Sequence, residues 1–230
     1  MLSSKEIAGS AYNELKDIEH VAVTDIIPSL GVDMEMETKV DIYDLPEVLR
    51  VMRALKSMNI SDTALRSEEH HFFAHNADEH HALILVQGSS EVWIKSKRGQ
   101  MPLLTPSDRI PVLLRQEKKL RPQSPEYFQA FHSVVNTPFI GSFQKDCLDV
   151  SFVHKDLVFT LTLSLAETKD GNQLFQFELE LDGHLSETPM PNLQQILSEF
   201  ERVARHILPV EAARFTTHQK IEWLLSMQAS

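Results

Sequence analysis

Two stretches of this chain alternate charged and apolar residues so strictly that a β-strand is the one local structure that uses the pattern. In "VDMEMETKVDI", residues 32–42, Asp33, Glu35, Glu37, Lys39 and Asp41 occupy every second position. In "LFQFELELDG", residues 174–183, Gln176, Glu178, Glu180 and Asp182 do the same, opposite Phe175, Phe177, Leu179 and Leu181. Side chains two apart on a strand project to one side, so each stretch has a charged face and an apolar back. "EVWIKSK" is a third case, with Glu91, Trp93, Lys95 and Lys97 together and Val92 and Ile94 behind them. One such strand is most simply the wet face of an antiparallel sheet. Three of them, of both charge signs, admit another arrangement. If the apolar backs pack against helices and the sheet curls, the charged faces line a cavity where carboxylates hold a hard divalent cation and lysines meet a polyanion.

The rest of the pattern supplies the helices and turns. Ser3 and Glu6 have capping-box spacing ahead of an apolar stripe at Ile7, Ala11, Leu15 and Ile18, which predicts an N-terminal packing helix. Asp44 and Glu47 have the same spacing ahead of Val48, Leu49, Val51, Met52 and Leu55, the clearest helix in the chain. Strands are expected at "HHFFAHN", "ALILVQ" and "EVWIKSK", the last two joined through "GSS" as a hairpin. Residues 99–124 are proline-rich and mixed in charge, and read as a long connection with little regular structure before a helix at "PEYFQAFHSVV". Three further strands follow, the last two joined by "TKDGNQ", where Asp170 and Gly171 suit a positive-φ turn. Two helices close the chain, one capped by Asn192 and one by Thr216 or Thr217. The expected class is an antiparallel α+β protein of seven or eight strands, divided into a lead-in over 1–31 and a main domain over 32–230.

Bulk properties narrow the function. A formal charge of -11 over 230 residues argues against a nucleic-acid binder, although lysines converging inside a cavity still create a local positive potential. Cys147 is the only cysteine and falls within a strand pattern, as a small core residue does. No apolar run reaches the roughly 20 residues of a membrane helix, so a cytoplasmic protein with no membrane partner is expected. Neither a nucleophile elbow nor a phosphate-binding glycine loop is present. The histidines of "EEHHFFAHNADEHH" (His70, His71, His75, His80 and His81) suit a polar loop or edge strand better than a metal site, because they lack a fixed ligand spacing.

The order of these motifs resembles the CYTH superfamily, the triphosphate tunnel metalloenzymes. The likeness runs over roughly residues 32–228: E-x-E-x-K on a strand, the "DLPEVLRVMRAL" helix, lysine-bearing strands, a late E-x-E strand and a closing "TTHQKIEWLL" helix. The resemblance implies an eight-stranded antiparallel tunnel that takes triphosphate-containing substrates with Mg²⁺ or Mn²⁺. It implies metal-side carboxylates at Glu35, Glu37, Glu178 and Glu180, and phosphate contacts at Lys39, Lys95 or Lys97, and Lys145, with Lys39 and Glu37 in the catalytic roles. The implied partner is a small phosphorylated ligand, with homodimerisation left open. Two positions depart from the pattern: the strand that carries arginines in the family reads "ALILVQ", with Leu83 and Leu85 near those positions, and Asp146 follows Lys145 where a second basic residue is common. Loss of bidentate guanidinium contacts leaves open a weakened tunnel protein that binds a phosphorylated ligand or serves as an interaction module. Cyclisation of a nucleoside triphosphate, as in class IV adenylate cyclases, and an unrelated α+β fold with solvated strands are the other readings.

Overall fold

The alternating strands pair into one sheet that closes on itself. A computed structural model describes residues 3–23, 25–30, 33–107, 109–187, 189–208, 214–216 and 219–228. In chain order the elements are α1 (Ser4–Leu15), β1 (Ile26–Ile27), β2 (Met34–Asp41), α2 (Leu45–Leu55), β3 (Asn59–Ala74), β4 (Glu79–Val86) and β5 (Val92–Leu104). They continue with β6 (Pro111–Leu120), α3 (Tyr127–Val135), β7 (Phe139–His154), β8 (Leu157–Glu167), β9 (Gln173–Leu185), α4 (Leu193–Ile207), β10 (Phe215–Thr216) and α5 (Lys220–Gln228).

Eight antiparallel strands form the barrel in the order β9-β8-β7-β3-β4-β5-β6-β2, and the pairing of β2 with β9 closes it. β2 is the seam. It pairs with β6 through Met34–Glu37 and with β9 through Glu37–Asp41. β10 takes the edge of β2 at Lys39 and Val40, beyond the end of the β6 pairing.

The apolar backs of β2, β7, β8 and β9 form the main core. Met36, Val40, Val150, Phe152, Leu161, Leu163, Phe177 and Leu179 are buried there against Ala11 and Leu15 of α1, Val51 and Met52 of α2, and Phe200 and Val203 of α4. α1 is therefore a packing helix within this core, fixed by the expected capping box of Ser3 and Glu6. Asp44 accepts a hydrogen bond from the Glu47 amide at 2.9 Å, and Asn192 caps α4 in the same manner. A second cluster, with Phe72, Phe143 and Ala166, packs against Ile221 and Leu224 of α5 at one end of the barrel.

Four sequence expectations are corrected. The proline-rich stretch 99–124 is largely strand: β5 continues to Leu104 and β6 begins at Pro111. The prolines fit because each avoids a needed amide. Pro111 is the first residue of its strand, and Pro102 follows a register shift between Arg98 and Met101 at which Gly99 takes a φ of 59°. β3 runs for 16 residues from Asn59, well beyond "HHFFAHN", because its inward positions are polar and hide the alternation. In the β8–β9 turn only Gly171 has positive φ, at 80°; Asp170 does not. Thr216 pairs with Lys39 in β10 rather than capping α5, and Thr217 lies outside the described residues. α5 instead starts with the Gln219 amide donating to Glu222 Oε2 at 2.6 Å.

Two glycines test this packing with opposite signs. A Cβ on Gly183 would meet the Ile27 carbonyl oxygen at 2.3 Å, where β1 crosses β9, whereas one on Gly9 of α1 meets nothing within 4 Å. Gly183→Ala should lower stability by about 1–3 kcal/mol through forced displacement of β1. Gly9→Ala should raise it by about 0.5–1 kcal/mol through helix propensity. Urea titrations of both variants check the signs.

Candidate active site

The charged faces of the strands turn inward, and their side chains meet inside the barrel. Lys39 of β2, Lys95 and Lys97 of β5, Lys145 of β7 and Glu178 and Glu180 of β9 line one cavity of about 180 Å³. Glu35 and Glu37 lie just behind this lining, 8% and 0% exposed. The structure thus gathers every sequence-derived site residue at one place.

At the β2–β6 seam, Arg115 stands directly across from Glu35. Its Nε donates to Glu35 at 2.5 Å, and its other guanidinium nitrogens donate to Glu37 and to the Gln219 side chain. Lys97 adds a contact to Glu35 at 2.9 Å. Burial alone would raise the Glu35 and Glu37 carboxyls, but Lys97 and Arg115 beside Glu35, and Arg115 and Lys39 beside Glu37, hold both below the usual range. Glu117, also on β6, pairs with Lys95 at 2.8 Å and Lys97 at 2.9 Å, which outweigh its burial and hold it well below the carboxylate range.

Across the cavity the balance reverses. Lys39 contacts Glu37 at 3.2 Å and Glu178 at 3.4 Å, and Lys220 of α5 also pairs with Glu178. Three ammoniums, of Lys39, Lys145 and Lys220, thus share the field of Glu178. Burial, helped by Lys39 and Lys145 and only partly offset by Glu178, brings the Lys220 ammonium down to about 7. Lys145 makes no ion pair among the described residues, although Glu178, Glu68 and Asp149 all act on it.

Carboxylate oxygens of Glu35, Glu37 and Glu180 lie within 4.8 Å of one another, the one group of metal-ligating side chains at this spacing among the described residues. Two features fit a hard cation there. Glu37 Oε2 is buried, accepts no well-directed hydrogen bond and faces the Lys39 ammonium at 3.2 Å. Glu180 carries no ion pair among the described residues, and burial together with the Glu35 and Glu37 carboxylates pushes its carboxyl up to about 8, against the pull of Lys95. Three converging carboxylate oxygens are the donor set that Mg²⁺ or Mn²⁺ takes. Glu178 stands apart from this group, engaged by Lys39 and Lys220.

Several site residues were not read from the sequence. Arg115, Glu117 and Lys119 occupy alternate positions of β6 inside the stretch taken for a loop. Arg66 and Asp149 pair with each other within the barrel, and Arg66 reaches Glu68 at 2.8 Å. Alternation in "LLRQEKKL" and "ALRSEEHH" was the available signal. The arginine departure also shifts by one residue. Leu83 belongs to an outer cluster with Ile94 and Tyr127, Leu85 is 38% exposed, and the cavity-lining residues of β4 are His80, Ala82 and Ile84. Of the histidine cluster, His70 and His80 line the cavity, while Cys147 is fully buried beside Lys145.

The Glu180 environment sets a pH signature for the metal-free protein. A carboxyl raised from 4.5 to about 8 keeps its proton in the fold while the unfolded chain releases it, so its contribution to stability falls as pH rises between those values. Glu180→Gln removes that loss. It should raise Tm more at pH 8 than at pH 5, by about 2–4 °C for each kcal/mol relieved. Calorimetry in EDTA at the two pH values checks this, and an equal shift at both would contradict the assignment.

No protein-family model and no curated protein matches the sequence. Solved structures do match. A mimivirus capping enzyme triphosphatase is 13% identical with a TM-score of 0.53, over 91% of this chain and 99% of that one. The RNA triphosphatase domain of a trifunctional mimivirus mRNA capping enzyme is 13% identical with a TM-score of 0.51, over 90% of this chain and 99% of that one. An S. pombe RNA triphosphatase, solved with the Spt5 CTD, is 14% identical with a TM-score of 0.48, over 90% and 94% of the two chains. By its closed eight-stranded antiparallel barrel and its likeness to the two mimivirus structures, the chain has the triphosphate tunnel fold.

Proposed function

We propose that the tunnel hydrolyses a triphosphate or polyphosphate group with the help of a divalent cation. The observation that carries this is the placement about one cavity of a carboxylate group (Glu35, Glu37 and Glu180) next to an ammonium group (Lys39, Lys145 and Lys220). A phosphate chain that bears a cation needs both. Glu35, Glu37 and Glu180 would hold Mg²⁺ or Mn²⁺, which when bound would supply charge neutralisation to phosphate oxygens.

The chain's own residues do the rest. Lys145 and Lys220 hold the phosphate chain; an anion bound between them favours the charged form of both and restores the Lys220 proton. Lys39 sits between Glu37 and Glu178 and faces the cavity, so its ammonium is placed against charge that develops on the reacting phosphate. Lys95 and Lys97 meet the other side of the chain once Glu117 yields one of them. Arg115, locked onto Glu35 and Glu37, keeps the two carboxylates at a fixed spacing and acts by positioning. Water attacks the terminal phosphorus opposite the leaving group, oriented within the carboxylate group.

One observation favours a second reading, in which the tunnel binds a phosphorylated ligand with little turnover. Ala82 and Ile84 stand at the inward positions of β4 and offer no charge to a phosphate. Phosphate release and binding separate the two readings. Purified protein with Mg²⁺ or Mn²⁺ should release phosphate from at least one of tripolyphosphate, ATP and thiamine triphosphate. Glu37→Gln and Lys39→Met should each lower kcat/KM by about 100-fold or more. Tight binding without release supports the second reading, and cyclic AMP from ATP would identify a cyclase. Neither binding nor release overturns both readings.

A further inference from the structure

The cavity is not lined by charge alone. β3 and β4 turn His70, Phe72, His80, Ala82 and Ile84 toward it, and α5 adds Ile221. The rings form a continuous array. His70 lies 5.2 Å from Phe143 at an interplanar angle of 17°, Phe143 lies 5.3 Å from Phe72, and Phe72 lies 6.0 Å from His80.

This array is neutral. His70 Nε2 donates to the Glu68 carboxylate at 2.8 Å, and His80 Nδ1 donates to the Ala77 carbonyl at 3.1 Å; both partners accept only, which sets the tautomers. Burial brings His70 down to about 4 and His80 to about 3, so neither carries charge near neutral pH.

A bare phosphate chain gains nothing from such a wall. Ala82 and Ile84 have no donors, and an oxyanion pressed against them gives up water without replacement. A flat ring gains on both counts: it buries apolar area against Ala82 and Ile84 and stacks against the Phe72 array. The wall borders the same cavity as Lys39, Lys95 and Lys145, so the two regions face one shared space.

We propose that the tunnel selects triphosphate esters that carry a heteroaromatic ring over inorganic polyphosphate, with the ring seated on Phe72, Ala82 and Ile84. The proposal rests on the triphosphate reading above and adds the part of the substrate beyond the phosphates. Nucleoside and thiamine triphosphates share the required chemistry, and the test separates them.

Equilibrium titrations with tripolyphosphate, ATP and thiamine triphosphate, each with Mg²⁺ and with EDTA at low temperature, read the preference directly. At least one ring-bearing ester should bind about tenfold or more tighter than tripolyphosphate, the scale of one stacked ring. Phe72→Leu keeps the wall apolar but removes the ring; it should narrow that gap about fivefold or more and leave tripolyphosphate within about twofold. Ala82→Arg should do the reverse, tightening tripolyphosphate and weakening the esters. Thermal melts of each variant confirm folding. Equal affinity for all three ligands, or equal losses for all three in Phe72→Leu, overturns the ring site and leaves the triphosphate reading intact. Binding of none of them overturns the triphosphate reading, and the ring site with it.

Discussion

The buried guanidinium of Arg115 makes the interior of this barrel tenable. Glu35 and Glu37 are withdrawn almost entirely from water on one strand face, and an unpaired buried carboxylate is a cost of several kcal/mol. Arg115 meets both at once because β6 sets it directly across from Glu35 in the ladder. The same strand brings Glu117 to Lys95 and Lys97, so the cations of β5 are held by β6 as well. On the other edge of β2, β9 places Glu178 across from Lys39 and Glu180 across from Glu37. Closure of the barrel and balance of its charge are therefore one condition: a slip of one residue at the seam would turn every charged side chain into the apolar core.

The balance is incomplete in two places, and both are informative. Among the described residues neither Glu180 nor Lys145 makes an ion pair, and Lys220 shares Glu178 with Lys39. A fold selected for stability alone would pair such groups or replace them with apolar ones. Here the carboxyl without an ion pair sits beside Glu35 and Glu37, and the lysine without one, Lys145, lines the same cavity. A cation and a phosphate chain, bound together, would complete both.

Much of this was legible in the residues. Glu35, Glu37 and Lys39, and Glu178 and Glu180, announced charged strand faces because their apolar partners alternate cleanly, and Asp44 and Asn192 announced their helices through local capping chemistry that needs no tertiary context. β6 was hidden because Pro106, Pro111 and Pro122 read as punctuation, yet they lie at or beyond the ends of strands, where a missing amide does no harm. With β6 went Arg115 and Glu117, which hold the site together, and Lys119, which lines the cavity. β3 was shortened because Arg66, Glu68 and His70 alternate with residues that are themselves polar, which erases the two-residue period. Leu83 and Leu85 were placed inward by motif position, whereas register against β5 turns Ala82 and Ile84 toward Lys95 and Trp93. Sequence periodicity gives the face of a strand; the neighbour across the ladder decides what that face meets.

The central claim is that the carboxylates of β2 and β9 hold one cation at a defined point while the lysines hold phosphate next to it. Anomalous diffraction from crystals grown with Mn²⁺ and tripolyphosphate measures this most directly. The account predicts a manganese peak bounded by Glu35, Glu37 and Glu180, with phosphate density reaching Lys39, Lys145 and Lys220. Manganese found only on the outer surface, with Arg115 and Lys97 still closed over an unchanged carboxylate group and no phosphate in the barrel, would contradict it.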